Sequence, residues 1–146
     1  NIYVKRIIPS SLNINISKTQ ILGLTQRNGK IFYIGKNEKF INSNQLFDVK
    51  DVPILFGNFE IKQFLNLLNI LNINHINLNE IEKYFYYKNK RWDLQFSDGL
   101  TIKLPSKNIE KSLKIYKKLL KDNNLVNIKI IDLRVANQII LTNYDE

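Results

Sequence analysis

The chain has 146 residues, 44% hydrophobic and 24% charged, with 22 Lys and Arg against 13 Asp and Glu for a net charge of +9. That length supports one sizeable core, and no run of about 18 or more apolar residues marks a membrane-spanning helix. The absence of Cys excludes disulfides, thiolate metal sites and thiol nucleophiles, and the single His, His75, leaves one candidate for imidazole chemistry.

The positive balance permits attraction to nucleic acid, anionic lipid or acidic partners without choosing among them. The first residues carry no signal-peptide pattern. The chain contains no Met, so it reads as a mature or excised fragment.

Ile2 to Ile8 is apolar-rich and stops at Pro9. Leu12, Ile14 and Ile16 alternate with Asn13, Asn15 and Ser17, the period of a strand. Ile21 to Gln26 and Lys30 to Ile34 flank Asn28-Gly29, a tight hairpin turn. Phe40 to Val52 is less regular and reads as a connector closing at Val52-Pro53. Asn58 is the predicted N-cap of a helix whose apolar face is Ile61, Phe64, Leu65, Leu68 and Leu71.

His75 lies in "NINHINLN" with no Ser or carboxylate pattern pointing at it, so it reads as a loop or surface His. Ile81 to Tyr87 ends in "YFYY", beside Lys83, Lys88, Lys90 and Arg91. Aromatics plus positive charge suit base stacking, but consecutive strand residues point to opposite faces. A strand that packs on one side is the simpler reading.

The stretch "RWDLQFSDGLTIKLP" reads as a hairpin. Trp92, Leu94 and Phe96 share one face, as do Leu100, Ile102 and Leu104. Between them Asp98-Gly99 marks the turn, because Gly tolerates positive φ. Pro105 has no N–H to donate and ends the second strand. A helix follows, capped by Ser106 or Asn108, with Ile109, Leu113, Tyr116 and Leu120 on its packed face. Lys107, Lys111, Lys114, Lys118 and Lys121 form a stripe about 200° away. Such a stripe is ordinarily a solvated face; binding to anionic lipid or nucleic acid is the alternative.

Two apolar strands close the chain: Ile128, Ile130 and Ile131 leading into Asp132-Leu133-Arg134-Val135, then Ile139 to Thr142 after Ala136-Asn137-Gln138. Arg91 and Asp93 share a strand face, as do Asp132 and Arg134. Were their strands neighbours, the four charges would form a cross-strand ladder that sets register rather than a catalytic group. No glycine-rich phosphate loop, close carboxylate pair, or zinc or calcium spacing appears. No catalytic residue, metal or cofactor is therefore expected. The fold class predicted is α+β, a largely antiparallel or mixed sheet backed by two amphipathic helices.

The hairpin "RWDLQFSDGLTIKLP", the helix "SLKIYKKLL" and the closing "IIDLRVANQIILT" together resemble the carboxy-terminal region of the FtsQ/DivIB bacterial cell-division family. The earlier "VKRIIPSSLNINISKTQILGLTQRNGKIFYIGKNEKF" is similar to that family's junction between a POTRA domain and the following β domain. Lys18 stands where the family often has Glu, Ile21 or its neighbour where it often has Pro, and Gly35-Lys36-Asn37-Glu38 is a degraded turn motif.

The resemblance implies a truncated POTRA end over residues 1–20 and an FtsQ-type β domain over 21–146. It implies a non-enzymatic scaffold of the division machinery, anchored in the bacterial inner membrane by a helix before Asn1, with this domain in the periplasm. FtsB- and FtsL-type proteins are the implied partners, docking by strand addition to the last strand. The implied contact residues are Arg134, Val135, Asn137, Gln138, Ile139, Ile140, Leu141 and Thr142. Trp92, Asp93, Gly99, Pro105 and Asp132 then count as structural. The family's aromatic anchors are absent, since Val135 stands at the first such position and Asn143, beside Tyr144, near the second. The runner-up is a basic nucleic-acid-binding module using the lysine stripe. A small hydrolase ranks third for want of a nucleophile and base.

Overall fold

A computed structural model describes residues 2–7, 11–45, 51–121 and 127–143. The first two strands, β1 (Ile2–Ile7) and β2 (Ser11–Ile16), pair with each other as an antiparallel two-stranded sheet. The predicted stop at Pro9 lies outside the described residues.

All later strands belong to one sheet. They are β3 (Ile21–Arg27), β4 (Lys30–Gly35), β5 (Phe40–Asn42), β6 (Ile54–Phe56), β7 (Ile81–Tyr86), β8 (Trp92–Phe96), β9 (Thr101–Lys103), β10 (Ile128–Asp132) and β11 (Ile140–Asn143). Their spatial order is β11-β10-β9-β8-β7-β6-β3-β4-β5. The β3–β6, β6–β7 and β9–β10 pairs are parallel and the rest antiparallel, so the sheet is mixed, as the sequence predicts.

The two helices are α1 (Ile61–Ile73) and α2 (Ile109–Lys121). Each links two adjacent parallel strands, β6 to β7 and β9 to β10. Both connections step toward the same edge, and the strands they leave point the same way. Right-handed crossovers therefore place both helices on one face of the sheet. Their buried residues join one core with Tyr84, Trp92, Leu94 and Phe96.

That core is aromatic at its centre. The Phe64 ring meets Tyr84 edge-on at 5.2 Å, and Trp92 lies 4.7 Å from Tyr86 and 5.4 Å from Phe59. Full burial of side chains of this size stabilises by roughly 1.5–3 kcal/mol each. The buried Thr25 hydroxyl stays satisfied by donating to the Leu55 carbonyl at 2.9 Å. Trp92 at 3% exposure is core, as expected.

Both predicted turns form. Asn28 and Gly29 have φ of 49° and 73°, the doubly positive geometry of a hairpin turn that matches strand twist. Gly99 has φ of 89°, and Asp98 Oδ1 accepts from the Leu100 N–H at 2.9 Å, closing the β8–β9 turn. β9 ends at Lys103, just ahead of Pro105.

Several local expectations need correction. Glu60, not Asn58, caps α1, and its N–H donates to the Gln63 side chain at 2.9 Å. Leu67 belongs to the buried face of α1 although the predicted stripe omitted it; Leu65 and Leu68 are its half-buried margins. On α2 the predicted Leu120 is 44% exposed while Leu119 packs on the core. The connector read over Phe40 to Val52 contains β5, and β6 follows it unpredicted. β6 has three residues in a continuous apolar run, too short to show a period. His75 is exposed, with φ of 53°, just past the end of α1.

Candidate functional site

The end of the sheet beyond β9 is built by the order of its strands. α2 carries the chain over to β10, and a turn returns it antiparallel as β11. In that turn Asn137 takes φ of 61° and the Gln138 N–H donates to the Val135 carbonyl at 3.2 Å. Among the described residues β11 pairs on its inner side only: Asp132 faces Ile140, Ile131 faces Leu141 and Ile130 faces Thr142. All four of its residues are exposed.

Two transverse rows of side chains end at β11. On the helix-covered face, register partners run Thr25, Leu55, Tyr84, Leu94, Ile102, Ile131 and Leu141. Every member is buried except the last, Leu141, at 41% exposure. The core row therefore stops at an apolar side chain with no outer neighbour among the described residues. On the opposite face the row runs Phe56, Phe85, Asp93, Lys103, Asp132 and Ile140. The Phe56 and Phe85 rings stack at 5.0 Å.

The charged middle of that second row corrects the predicted ladder. β8 and β10 are not neighbours; β9 lies between them, and Lys103 is the register partner of both Asp93 and Asp132. Arg91 pairs with Asp93 at 3.7 Å and lies over the Tyr87 ring at 4.2 Å. Arg134 folds back on Asp132, its Nε donating to both carboxylate oxygens at 2.8 and 2.9 Å and its backbone N–H to one of them at 3.0 Å.

The two carboxylates differ in kind. The hydrogen bonds from the Arg134 side chain hold Asp132 below the usual carboxylate range, against its burial. Burial pushes Asp93 above that range, although Arg91, Tyr87, Lys103 and Arg134 pull the other way. Asp93 Oδ1 and Arg91 Nε are buried with no hydrogen-bond partner among the described residues. Asp132 thus clamps the start of the β10–β11 turn, and Asp93 is a costly buried charge behind it.

The expected contact residues divide accordingly. Ile140, Leu141 and Thr142 lie on the edge strand. Arg134, Val135, Asn137 and Gln138 are exposed in the turn, with Arg134 engaged by Asp132, and Ile139 packs partly on the core. Asn143 is the last described residue, and Tyr144 lies outside the described residues. Lys103 was missed, although the alternation of "TIK" opposes it to the buried Ile102; only strand order reveals its two acidic neighbours. Among the described residues no group of three or more His, Cys, Asp or Glu is placed to hold a metal, and no helix is long and apolar enough to cross a membrane.

Residues 18–134 match the family model described as cell division protein FtsQ/DivIB, C-terminal. The chain belongs to this FtsQ/DivIB family. Of the expected contact residues, only Arg134 falls inside the matched range. The cell division protein FtsQ of Rickettsia bellii is 31% identical over 98% of this chain and 54% of its own length. That of Rickettsia conorii is 28% identical, with the same coverage of 98% and 54%. The chain thus spans about half the length of the curated relatives it matches. Among solved structures, the major extracytoplasmic domain of DivIB from Geobacillus stearothermophilus is similar at a TM-score of 0.46 and 14% identity, over 75% of this chain and 98% of that one.

Proposed function

We propose that this domain is a non-enzymatic scaffold of bacterial cell division that takes an extended segment of an FtsB- or FtsL-type partner as an added strand on β11. Residues 1–20 are the end of a POTRA domain and 21–146 the β domain, held on the extracytoplasmic side of the inner membrane. Family membership supports the division role. The observation that carries the docking mode is the bare edge: β11 is terminal in the sheet, wholly exposed, and ends the core row at half-exposed Leu141.

An edge strand presents a row of N–H and C=O groups unpaired within the sheet, a ready template for another strand. Backbone pairing gives affinity with little demand on side-chain identity. An added strand would also place a side chain next to Leu141 and extend the buried row by one position. The clamp between Arg134 and Asp132 holds the turn that presents this edge, so Arg134 acts first as a positioning residue.

The test is titration with the extracytoplasmic segments of the cognate FtsB–FtsL pair, using wild type, Ile140→Pro and Leu141→Pro. Successive N–H groups on a strand point alternately inward to β10 and outward. One of the two prolines therefore removes an outward donor and leaves the β10 pairing intact. That variant is expected to melt like wild type and bind about two- to tenfold more weakly, as loss of one hydrogen bond implies. Unchanged binding by both variants, each still folded, would remove the interface from β11.

A further inference from the structure

The lysine stripe of α2 is left unused by strand addition. Lys107, Lys111, Lys114, Lys118 and Lys121 are all exposed, while Leu113 and Tyr116 on the other side of the helix are buried. From Lys111 to Lys121 the stripe runs about 15 Å along the axis. Glu110, in the first turn, is the helix's single acid.

A lysine-rich composition does not account for this. α1 has the same length of 13 residues and packs on the same face of the sheet, yet it carries one Lys against five on α2. The exposed positions of α1 are Lys62, Asn66, Asn69, Asn72 and Ile73, one cation among neutral side chains. The cations are concentrated on one helix. Because every lysine of the stripe is exposed, a plane can meet it along its length.

The chemistry of the stripe narrows the partner. α2 has no Arg, so the planar fork that grips a single phosphate or carboxylate is missing. Its only aromatic, Tyr116, is buried, so there is no platform for stacked bases. Ammonium groups on flexible stems, spaced three and four residues apart, suit diffuse negative charge spread over a plane.

We propose that α2 docks by its lysine face onto an anionic phospholipid bilayer. The inference rests on the extracytoplasmic, membrane-linked reading above, which puts a bilayer within reach and nucleic acid out of reach. Contact is electrostatic, because the apolar side of α2 is spent on the protein's own core. Each lysine near such a surface contributes about fivefold in partition.

The experiment is co-sedimentation of the 146-residue chain with vesicles of 30% phosphatidylglycerol in phosphatidylcholine, at about 0.15 M and about 1 M salt, where screening lengths are about 8 and 3 Å. The fourfold variant Lys111→Gln, Lys114→Gln, Lys118→Gln and Lys121→Gln is compared with Lys30→Gln, Lys36→Gln, Lys62→Gln and Lys88→Gln, which removes equal charge from other exposed sites. Circular dichroism checks that both variants fold. The expected result is binding at the lower salt, loss at the higher, and at least about fiftyfold weaker partition for the α2 variant only. Equal weakening in both variants would reduce the effect to net charge and overturn the assignment. So would binding to pure phosphatidylcholine, no binding by wild type, or tighter binding to a DNA duplex or a polyglutamate peptide at equal salt. The α2 variant should still bind the FtsB–FtsL segments, so failure here and failure of the β11 interface give separate signatures.

Discussion

The two edges of the nine-stranded sheet are built to opposite specifications. At one end β5 has three residues, all half-buried. Its Phe40 lies under the Arg27 guanidinium at 4.0 Å and beside Phe32 and Phe59 at 6.3 and 6.4 Å. Arg27 in turn donates to the Phe59 carbonyl. At the other end β11 has four residues, every one exposed, and no aromatic contact among the described residues. A short, side-chain-anchored edge resists strand addition, whereas a longer bare one invites it. The contrast separates structural closure of the sheet at β5 from availability at β11.

The largest expected effect comes from breaking the anchored edge. Phe59 is 2% exposed and touches Phe40, Phe64, Tyr86 and Trp92. Phe59→Ala should cost about 3–5 kcal/mol in urea unfolding and accelerate amide exchange in β5. Exchange in β11 that rose as much as in β5, under conditions where the domain stays folded, would show that the two edges are not independent.

Next is the clamp at the other edge. Asp132→Asn weakens charge-assisted bonds to Arg134 and should cost about 1.5–3 kcal/mol at pH 7. The folded carboxyl ionises more readily than the unfolded one, so it adds stability above the unfolded pKa. That contribution fades as pH falls through the lowered folded value. Urea midpoints of wild type and variant should therefore converge as pH falls below the unfolded carboxylate range, and a gap that stayed constant on acidification would contradict the assignment.

Asp93→Asn should act in the opposite direction. Its carboxyl binds a proton more tightly when folded, so the ionised form costs stability. The cost is full above the raised folded pKa and disappears below the unfolded one. The variant should gain midpoint relative to wild type at pH 7 and lose that gain under acid. A loss at pH 7 as large as that of Asp132→Asn would mean that its cationic neighbours outweigh burial. Arg27→Met keeps the packed stem but removes both the cation over Phe40 and the donor to the Phe59 carbonyl, and should cost about 1–3 kcal/mol in urea unfolding.

Much of this structure was legible from residues close in sequence. The hairpins at Asn28-Gly29 and Asp98-Gly99, both helices, and the faces of "RWDLQF" follow from turn chemistry and periodicity. What failed depends on distant partners. β6 is central because β3 and β7 flank it, which its three apolar residues do not announce. The ladder of Arg91, Asp93, Asp132 and Arg134 depended on β8 and β10 being neighbours, a condition that the sequence leaves open and that β9, lying between them, does not meet. The place of β11 at the edge is likewise a result of two crossovers stepping the same way, which local pattern does not encode. The resemblance supplied the last strand as a candidate; the register explains why Leu141 is left half-covered.

The most direct test of the strand-addition account is residue-resolved amide hydrogen exchange, with and without the FtsB–FtsL extracytoplasmic segments. The account predicts rapid exchange on the outer side of Ile140 to Asn143 in the free domain, strong protection there in the complex, and little change at Phe40 to Asn42. Protection that appeared at β5 or on the helices while β11 continued to exchange freely would contradict it.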